Sequence, residues 1–329
     1  MKPYDYLFLS TRVRALEGSL LTGERMGRML EAPNDQEALE VLRECGYGSL
    51  PPPTNQGIDQ LLARQRQAVL EDVAVFAPDP EVVALFRLRY DYHNAKVLLK
   101  AQALGTDASH LLLDLGRVPK GVLEEQLRGG TLAGLPAMFH AAVAEAREVL
   151  NTTQDPQRSD FILDRAYYQE LDQLARDSGS SFLQGYVRCL VDAANLRAVV
   201  RTRRMGKGDA FLRGVLFPGG DMDLRRILAA VDSGTPLAEL YSTSFLGQAA
   251  QEADQVLEGG SLTRFEKACD DAVTGYLAQA KYIAFGDAPV VAYLAAKENE
   301  FTAVRIIMSG RMAGLDTETI RERLREAYV

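Results

Sequence analysis

The side chains in this sequence that could do chemistry are scattered, and their spacing argues against most of what they could do. The three histidines, His93, His110 and His140, fall on different helices or loops, without the clustering that a metal centre needs. His93 lies between Tyr92 and Asn94 and reads as a packed or capped imidazole. There is no His-Glu-x-x-His, no Cys-x-x-Cys pair and no Gly-x-Ser-x-Gly elbow. Gly206-Lys207-Gly208 imitates a phosphate loop only in part. That loop needs GxxxxGK[ST] between a strand and a helix, so that backbone amides wrap a phosphate; here residue 208 is glycine and the preceding stretch is helical. The acid pairs Asp270-Asp271 and Glu124-Glu125 are adjacent in sequence, so a helix splays them apart and they form no general acid/base dyad. No catalytic, cofactor-binding or metal-binding residue is assigned, and no cofactor is expected.

Two other groups carry some signal. Arg197, Arg201, Arg203, Arg204 and Lys207 form one dense basic run, with Arg197 and Arg201 four apart on one helix face. This is a solvated face or a landing site for an acidic protein partner, with nucleic acid a third reading that the overall negative charge disfavours. The second group recurs: Asp91 precedes Asn94 by three residues, and Asp192 precedes Asn195 by three. Recurrence could mark a site, but in a duplicated helix it points more directly to interhelical hydrogen bonds.

The elements that position these residues are helical. The chain has 329 residues, of which about half are apolar; tryptophan is absent. Leu, Ala, Arg and Glu dominate, the vocabulary of packed helices. The formal net charge of −8, with both signs interspersed, disfavours nucleic-acid binding. Cys45, Cys189 and Cys269 are far apart, and an odd count suits a reducing compartment. The opening MKPYDYLFLSTRVRALEG has charges where a secretory signal needs an apolar core. No window approaches the run of about 18 apolar residues that spans a bilayer, so the chain is expected to be cytosolic or to meet a membrane only through partners.

Self-similarity is the strongest signal. Leu61–Gly105 ends in LFRLRYDYHNAKVLLKAQALG, Leu163–Gly206 in YVRCLVDAANLRAVVRTRRMG, and Phe265–Gly314 in VVAYLAAKENEFTAVRIIMSGRMAG. Each is a helix, a short break and a second helix that closes on glycine. The breaks FAPDPE, RDSGSS and AFGDAP are rich in residues that cap or start helices. Asn94 to Gly105 and Asn195 to Gly206 both span eleven residues. In the third copy Lys297 and Glu300 take the places of the acid and the amide, and Gly314 comes later, so that helix should run about one turn longer or end irregularly. A short amphipathic helix follows each glycine. The copies are led by helical regions at Asp5–Leu30 with Asp35–Cys45, Pro119–Leu127 with Leu135–Leu150, and Leu224–Ala230 with Ala238–Leu257, with linkers near Gly105–Leu115 and Gly206–Gly220. The expected fold is all-α: three similar helical-bundle domains at 1–112, 113–215 and 216–329, set in a pseudo-threefold arrangement.

YDYLFLSTRVRALEGSLLTGERMGRML, with Tyr6, Arg12, Arg14, Leu20 and Leu21, resembles the start of the C subunit of V-type and archaeal-type rotary ATPases, a family related to the d subunit of eukaryotic V-ATPases. LRYDYHNAKVLLKAQALG and RCLVDAANLRAVVRTRRMG resemble its recurring helix motif of acid, Asn, hydrophobe and base. Lys297, Glu298, Glu300, Phe301 and Arg305 resemble its Lys-Glu-x-Glu tail. The resemblance covers nearly the whole chain. It implies a funnel of three helical domains that couples the central shaft subunits to the membrane proteolipid ring during ion transport. It also implies a position at the cytoplasmic face of the membrane, with ATP chemistry left to other subunits. It transfers no contact residue, so the partner-binding residues stay unassigned. Two other readings remain open from the residues alone: a stand-alone helical scaffold or regulator, and an enzyme with an unrecognised all-α site.

Overall fold

The computed structural model describes residues 3–130 and 132–329. It is all-α, with no strand among the described residues. A 3-10 turn at Pro3–Tyr6 leads into α1 (Leu7–Glu17), α2 (Gly23–Glu31), α3 (Asp35–Glu40) and α4 (Asn55–Phe76). Next come α5 (Pro80–Leu104), α6 (Lys120–Gly129), α7 (Ala137–Thr153), α8 (Pro156–Asp177) and α9 (Ser181–Arg204). The remainder is α10 (Asp209–Val215), α11 (Leu224–Ser233), α12 (Leu237–Leu240), α13 (Gly247–Leu257), α14 (Leu262–Ala278), α15 (Asp287–Met312) and α16 (Thr317–Arg321).

The long repeat helices are α5, α9 and α15, with 25, 24 and 26 residues. Asp79 caps α5 by accepting from the Glu81 amide, with Pro80 in the first turn. Ser180 caps α9 by accepting from the Leu183 amide. The start of α15 has no side-chain cap of its own. Instead Ser10, on α1, donates to the Gly286 carbonyl at 3.0 Å and accepts from the Gly286 amide at 3.1 Å. Gly105, Gly206 and Gly314 all end their helices in the left-handed region, where a side chain would be strained.

Two stretches differ from the sequence reading. The region Asp5–Leu30 is two helices, because the chain turns at Gly18–Thr22 to bury Leu20 and Leu21, and Thr22 then caps α2. The linker at Gly206–Gly220 contains α10, which is short but buries Leu212 and Val215. The third long helix does extend furthest beyond its repeat position, ending at Met312.

The first two long helices pack mainly on helices that neighbour them in sequence. α5 lies against α6, α7 and α8, and α9 lies against α8, α10, α13 and α14. α15 lies against α1, α2, α3 and α4 from the far end of the sequence, and it also touches α5 and α9. Every residue from Ala288 to Lys297 is buried, as expected of a helix enclosed on all sides rather than amphipathic. The other half of α15, through Phe301, Val304, Ile307 and Met308, forms a separate cluster with Met29, Leu39 and Leu61.

Charge sets the register of the antiparallel neighbours. Lys96 and Lys100 on α5 meet Asp164 and Asp160 on α8, both at 2.6 Å. Arg197 and Arg201 on α9 meet Asp270 and Glu266 on α14, at 2.5 and 2.7 Å. Two cations four residues apart thus face two carboxylates four residues apart, running the other way. Partly exposed pairs of this kind are each worth about 0–1 kcal/mol, so they select a register more than they add stability.

Ser10→Ala leaves both polar groups of Gly286 without their buried partner. We expect a loss of about 1–3 kcal/mol in unfolding free energy, read from urea melts; an unchanged midpoint would show that water replaces the hydroxyl.

Candidate functional site

The recurring polar residues have one task. Asn94 donates to the Leu113 carbonyl at 2.7 Å and accepts from the Leu113 amide at 2.9 Å. Asn195 does the same to Phe217, at 2.8 Å in both directions. Five residues further along each loop, the Val118 amide donates to Asp91 at 3.0 Å and the Met222 amide donates to Asp192 at 3.1 Å. Gly116 and Gly220 lie under these carboxylates, where an added Cβ would come within 2.2 and 2.0 Å of a carboxylate oxygen. Asp-x-x-Asn is therefore a clasp that holds the returning loop onto its helix. The hydrogen bonds run from helix to loop, where the sequence suggested helix to helix.

The third clasp is rebuilt with different chemistry. Glu300 accepts from the Leu21 amide at 2.8 Å, from Tyr47 Oη at 2.8 Å and from Lys297 Nζ at 2.7 Å. Leu21 stands two residues before α2, just as Val118 and Met222 stand two residues before α6 and α11. Lys297 is only 5% exposed and lies over the rings of Tyr47 and Phe301. The last long helix thus clasps a loop from the start of the sequence.

These clasps are electrostatically unequal. Burial pushes Asp192 up to about 6, against the opposing pull of the Met222 and Asp221 amides. Burial also raises Asp91, opposed by the Val118 amide and by Arg117. Arg117 bridges Asp91 at 2.7 Å and Glu170 at 2.9 Å. Glu170 also accepts from Tyr92 Oη, which ties α5 to α8.

The three long helices meet around Glu298. This carboxylate on α15 accepts from Tyr90 Oη on α5 at 2.8 Å, from Arg66 Nε on α4 at 3.2 Å and from Arg89 Nη1 on α5 at 3.4 Å. One turn away, the Phe86 ring stacks at 6.2 Å on Tyr186 of α9. Arg89 lies over the Tyr90 ring and keeps 54% of its side chain exposed. Burial works against its charge, but Glu298, Tyr90, Tyr167 and Tyr186 outweigh that and raise its pKa. An accessible guanidinium among tyrosine hydroxyls from three helices can bind carboxylates and aromatic faces. In the sequence Glu298 stands out as part of a motif, whereas neither Arg66 nor Arg89 does. The one available signal was arginine recurring in the otherwise apolar stretch LFRLRY.

The remaining sequence candidates are dispersed. His93 Nε2 caps the Leu111 carbonyl at 3.1 Å, while His110 and His140 are exposed elsewhere. Asp270 takes Arg197 and Arg325, whereas Asp271 takes Lys267 and the Glu326 amide, so the two acids diverge. Of the basic run, Arg197 and Arg201 are held by α14, and Arg203 donates to the Val231 carbonyl. Arg204 and Lys207 are exposed. The three cysteines are free and buried, and burial pushes their thiols up, Cys45 to about 11 and Cys189 and Cys269 to about 12. Among the described residues no group of His, Cys, Asp and Glu could hold a metal ion, and no helix is long and apolar enough to cross a membrane.

The family model described as ATP synthase (C/AC39) subunit matches residues 9–323. The C subunit of the V-type sodium ATPase of Enterococcus hirae is 24% identical, over 98% of this chain and 99% of its own. The C subunit of the V-type ATP synthase of Thermus thermophilus is 28% identical, over 97% and 98%. The C subunit of the A-type ATP synthase of Methanocaldococcus jannaschii is 23% identical, over 97% and 86%.

The raised Asp192 gives a pH signature. The folded chain holds this proton more tightly than the unfolded chain, whose carboxyl titrates near 3.8. Its contribution to stability is therefore full below about pH 4 and is lost as pH rises through about 6. Comparing urea unfolding of wild type with Asp192→Asn, we expect the difference to move by about 2 kcal/mol in favour of the variant between pH 4 and pH 6.5. A difference independent of pH would show that the carboxyl titrates normally.

Proposed function

We propose, because this chain belongs to the ATP synthase (C/AC39) subunit family, that it is a non-catalytic central-stalk subunit of a V-type or A-type rotary ATPase. In this reading it is a socket that joins the rotating central shaft to the membrane proteolipid ring, with ATP chemistry carried by other subunits and ions passing through the ring. It sits at the cytoplasmic face of the membrane and is held there by its complex.

The observation that carries the reading is the junction at Glu298. One carboxylate ties α15 to α4 and α5, and the adjoining Phe86–Tyr186 stack ties α5 to α9. Torque needs a part that does not shear, and packed helical interiors transmit strain because they are dense. Contact of α15 with both α5 and α9 supports an arrangement of three units about a common axis, at 1–112, 113–215 and 216–329. Arg89 and the tyrosines around it are then the surface offered to the shaft, and its polar character fits a joint that can be taken apart.

The test is Arg89→Met in a tagged copy of the chain, recovered with its complex from native membranes. Shaft subunits should be retained at least about tenfold less well, with the proteolipid still bound and the urea midpoint of the isolated chain unchanged. Undiminished shaft subunits, or loss of contact that is insensitive to salt in the wild type, would overturn docking at this surface. The isolated chain should turn over no ATP, and turnover would contradict the reading altogether.

A further inference from the structure

The internal repeat creates two comparable grooves, one between α14 and α15 and one between α8 and α9. Each is walled by an acid of the first helix, Asp270 in one and Asp164 in the other. Equivalent positions of the long helix line the opposite side: Thr302 and Ala303 on α15 match Arg197 and Ala198 on α9, in the same register as Lys297 and Asp192.

The α14/α15 groove is filled by the chain itself. Residues 325–329 run through it without regular structure. Arg325 Nε donates to Asp270 and the Glu326 amide donates to Asp271, both at 2.7 Å. Tyr328 is 5% exposed, and a cavity of about 150 Å³ is left. The guest's cation thus pairs with Asp270 of that groove.

The α8/α9 groove is open, with a volume of about 710 Å³. Its floor is aromatic: Phe161 meets Phe211 edge-on at 5.5 Å, and Tyr168 lies 4.4 Å from Phe217. All four rings are only partly buried. Its rim is basic. Arg197 and Arg201 are engaged by α14, but Arg204 is exposed and pairs with no carboxylate among the described residues. From Ala194 to Met205 the wall of α9 runs about 17 Å, the length of about five extended residues, as many as lie in the other groove.

We infer that the α8/α9 groove is a docking site for an extended segment of a partner polypeptide that carries a carboxylate for Arg204 and large apolar side chains for the aromatic floor. The α14/α15 groove shows how such a guest lies, with Arg325 where the partner would place its carboxylate. The inference does not depend on the socket reading, because it concerns a different surface and is tested on the isolated full chain.

The probe is a labelled heptapeptide alternating Glu with Leu and Tyr, with a Lys-for-Glu counterpart as control, followed by fluorescence anisotropy. The acidic peptide should bind at least about tenfold more tightly than the basic one. Arg204→Glu should weaken it by at least about tenfold, and Ala198→Phe should block the groove, with melting curves confirming that both variants fold. Equal binding of the two peptides, or indifference to Arg204→Glu, would overturn the proposal. So would a groove that takes dodecanoate but no peptide, which would mark it as a site for a small anionic amphiphile. In the assembled complex, a photo-crosslinker at Met205 should capture an acidic segment of one polypeptide; capture of lipid alone would again overturn it.

Discussion

A polar side chain buried in the middle of each long helix is the constraint from which much of this structure follows. Leaving such a group unpaired in the interior costs more than any single surface contact returns. Asp91, Asn94, Asp192, Asn195 and Glu300 are all buried, so each must bring a partner to itself. The partner is backbone, the loop that re-enters the fold before the next helix. Burial and loop placement are thus one event, and the glycines below Asp91 and Asp192 exist because the loop passes too close for a Cβ.

The third copy shows the same constraint met by other means. Glu300 sits at the position of the amide yet performs the acid's task, receiving a backbone amide from the loop before a helix. That loop belongs to the opening of the sequence, and Ser10 makes a second tie between the same two regions. The opening region is therefore tied at two places to α15 and the turn before it. A charged lysine lies beside Glu300, in a place where a cation is tolerated only because it is paired and covered by two aromatic rings.

Cohesion among the long helices and the character of the grooves beside them have separate origins. The first rests on Glu298 and the ring stack, which bind the long helices to one another. The second depends on how duplicated surfaces have diverged. One groove is closed by residues 325–329 of the chain itself, which set Arg325 against Asp270; its counterpart has an arginine rim over aromatic side chains. Duplication supplies equivalent shapes, and substitution at a few positions such as 204 and 309 gives their rims different charge.

The sequence by itself determined the helical class, the three long helices and the breaks between them. These depend on local features such as apolar periodicity, capping residues and glycine, each legible within a few positions. It also displayed the Asp-x-x-Asn recurrence, and the motifs that carried the family resemblance. Their purpose was not legible, because the partner of Asn195 lies 22 residues away and that of Glu300 lies 279 away. α10 went unseen because a short helix between glycines and a proline leaves little periodic signal, and it is stabilised by burial against α9. Tertiary structure alone decided that Glu298 would join α4, α5 and α15, that the opening helices would pack on the last long one, and that one groove would be filled while its twin stayed open. Each of those outcomes is set by which surfaces come together in space, and hydrophobic burial has no direction along the chain that could announce it.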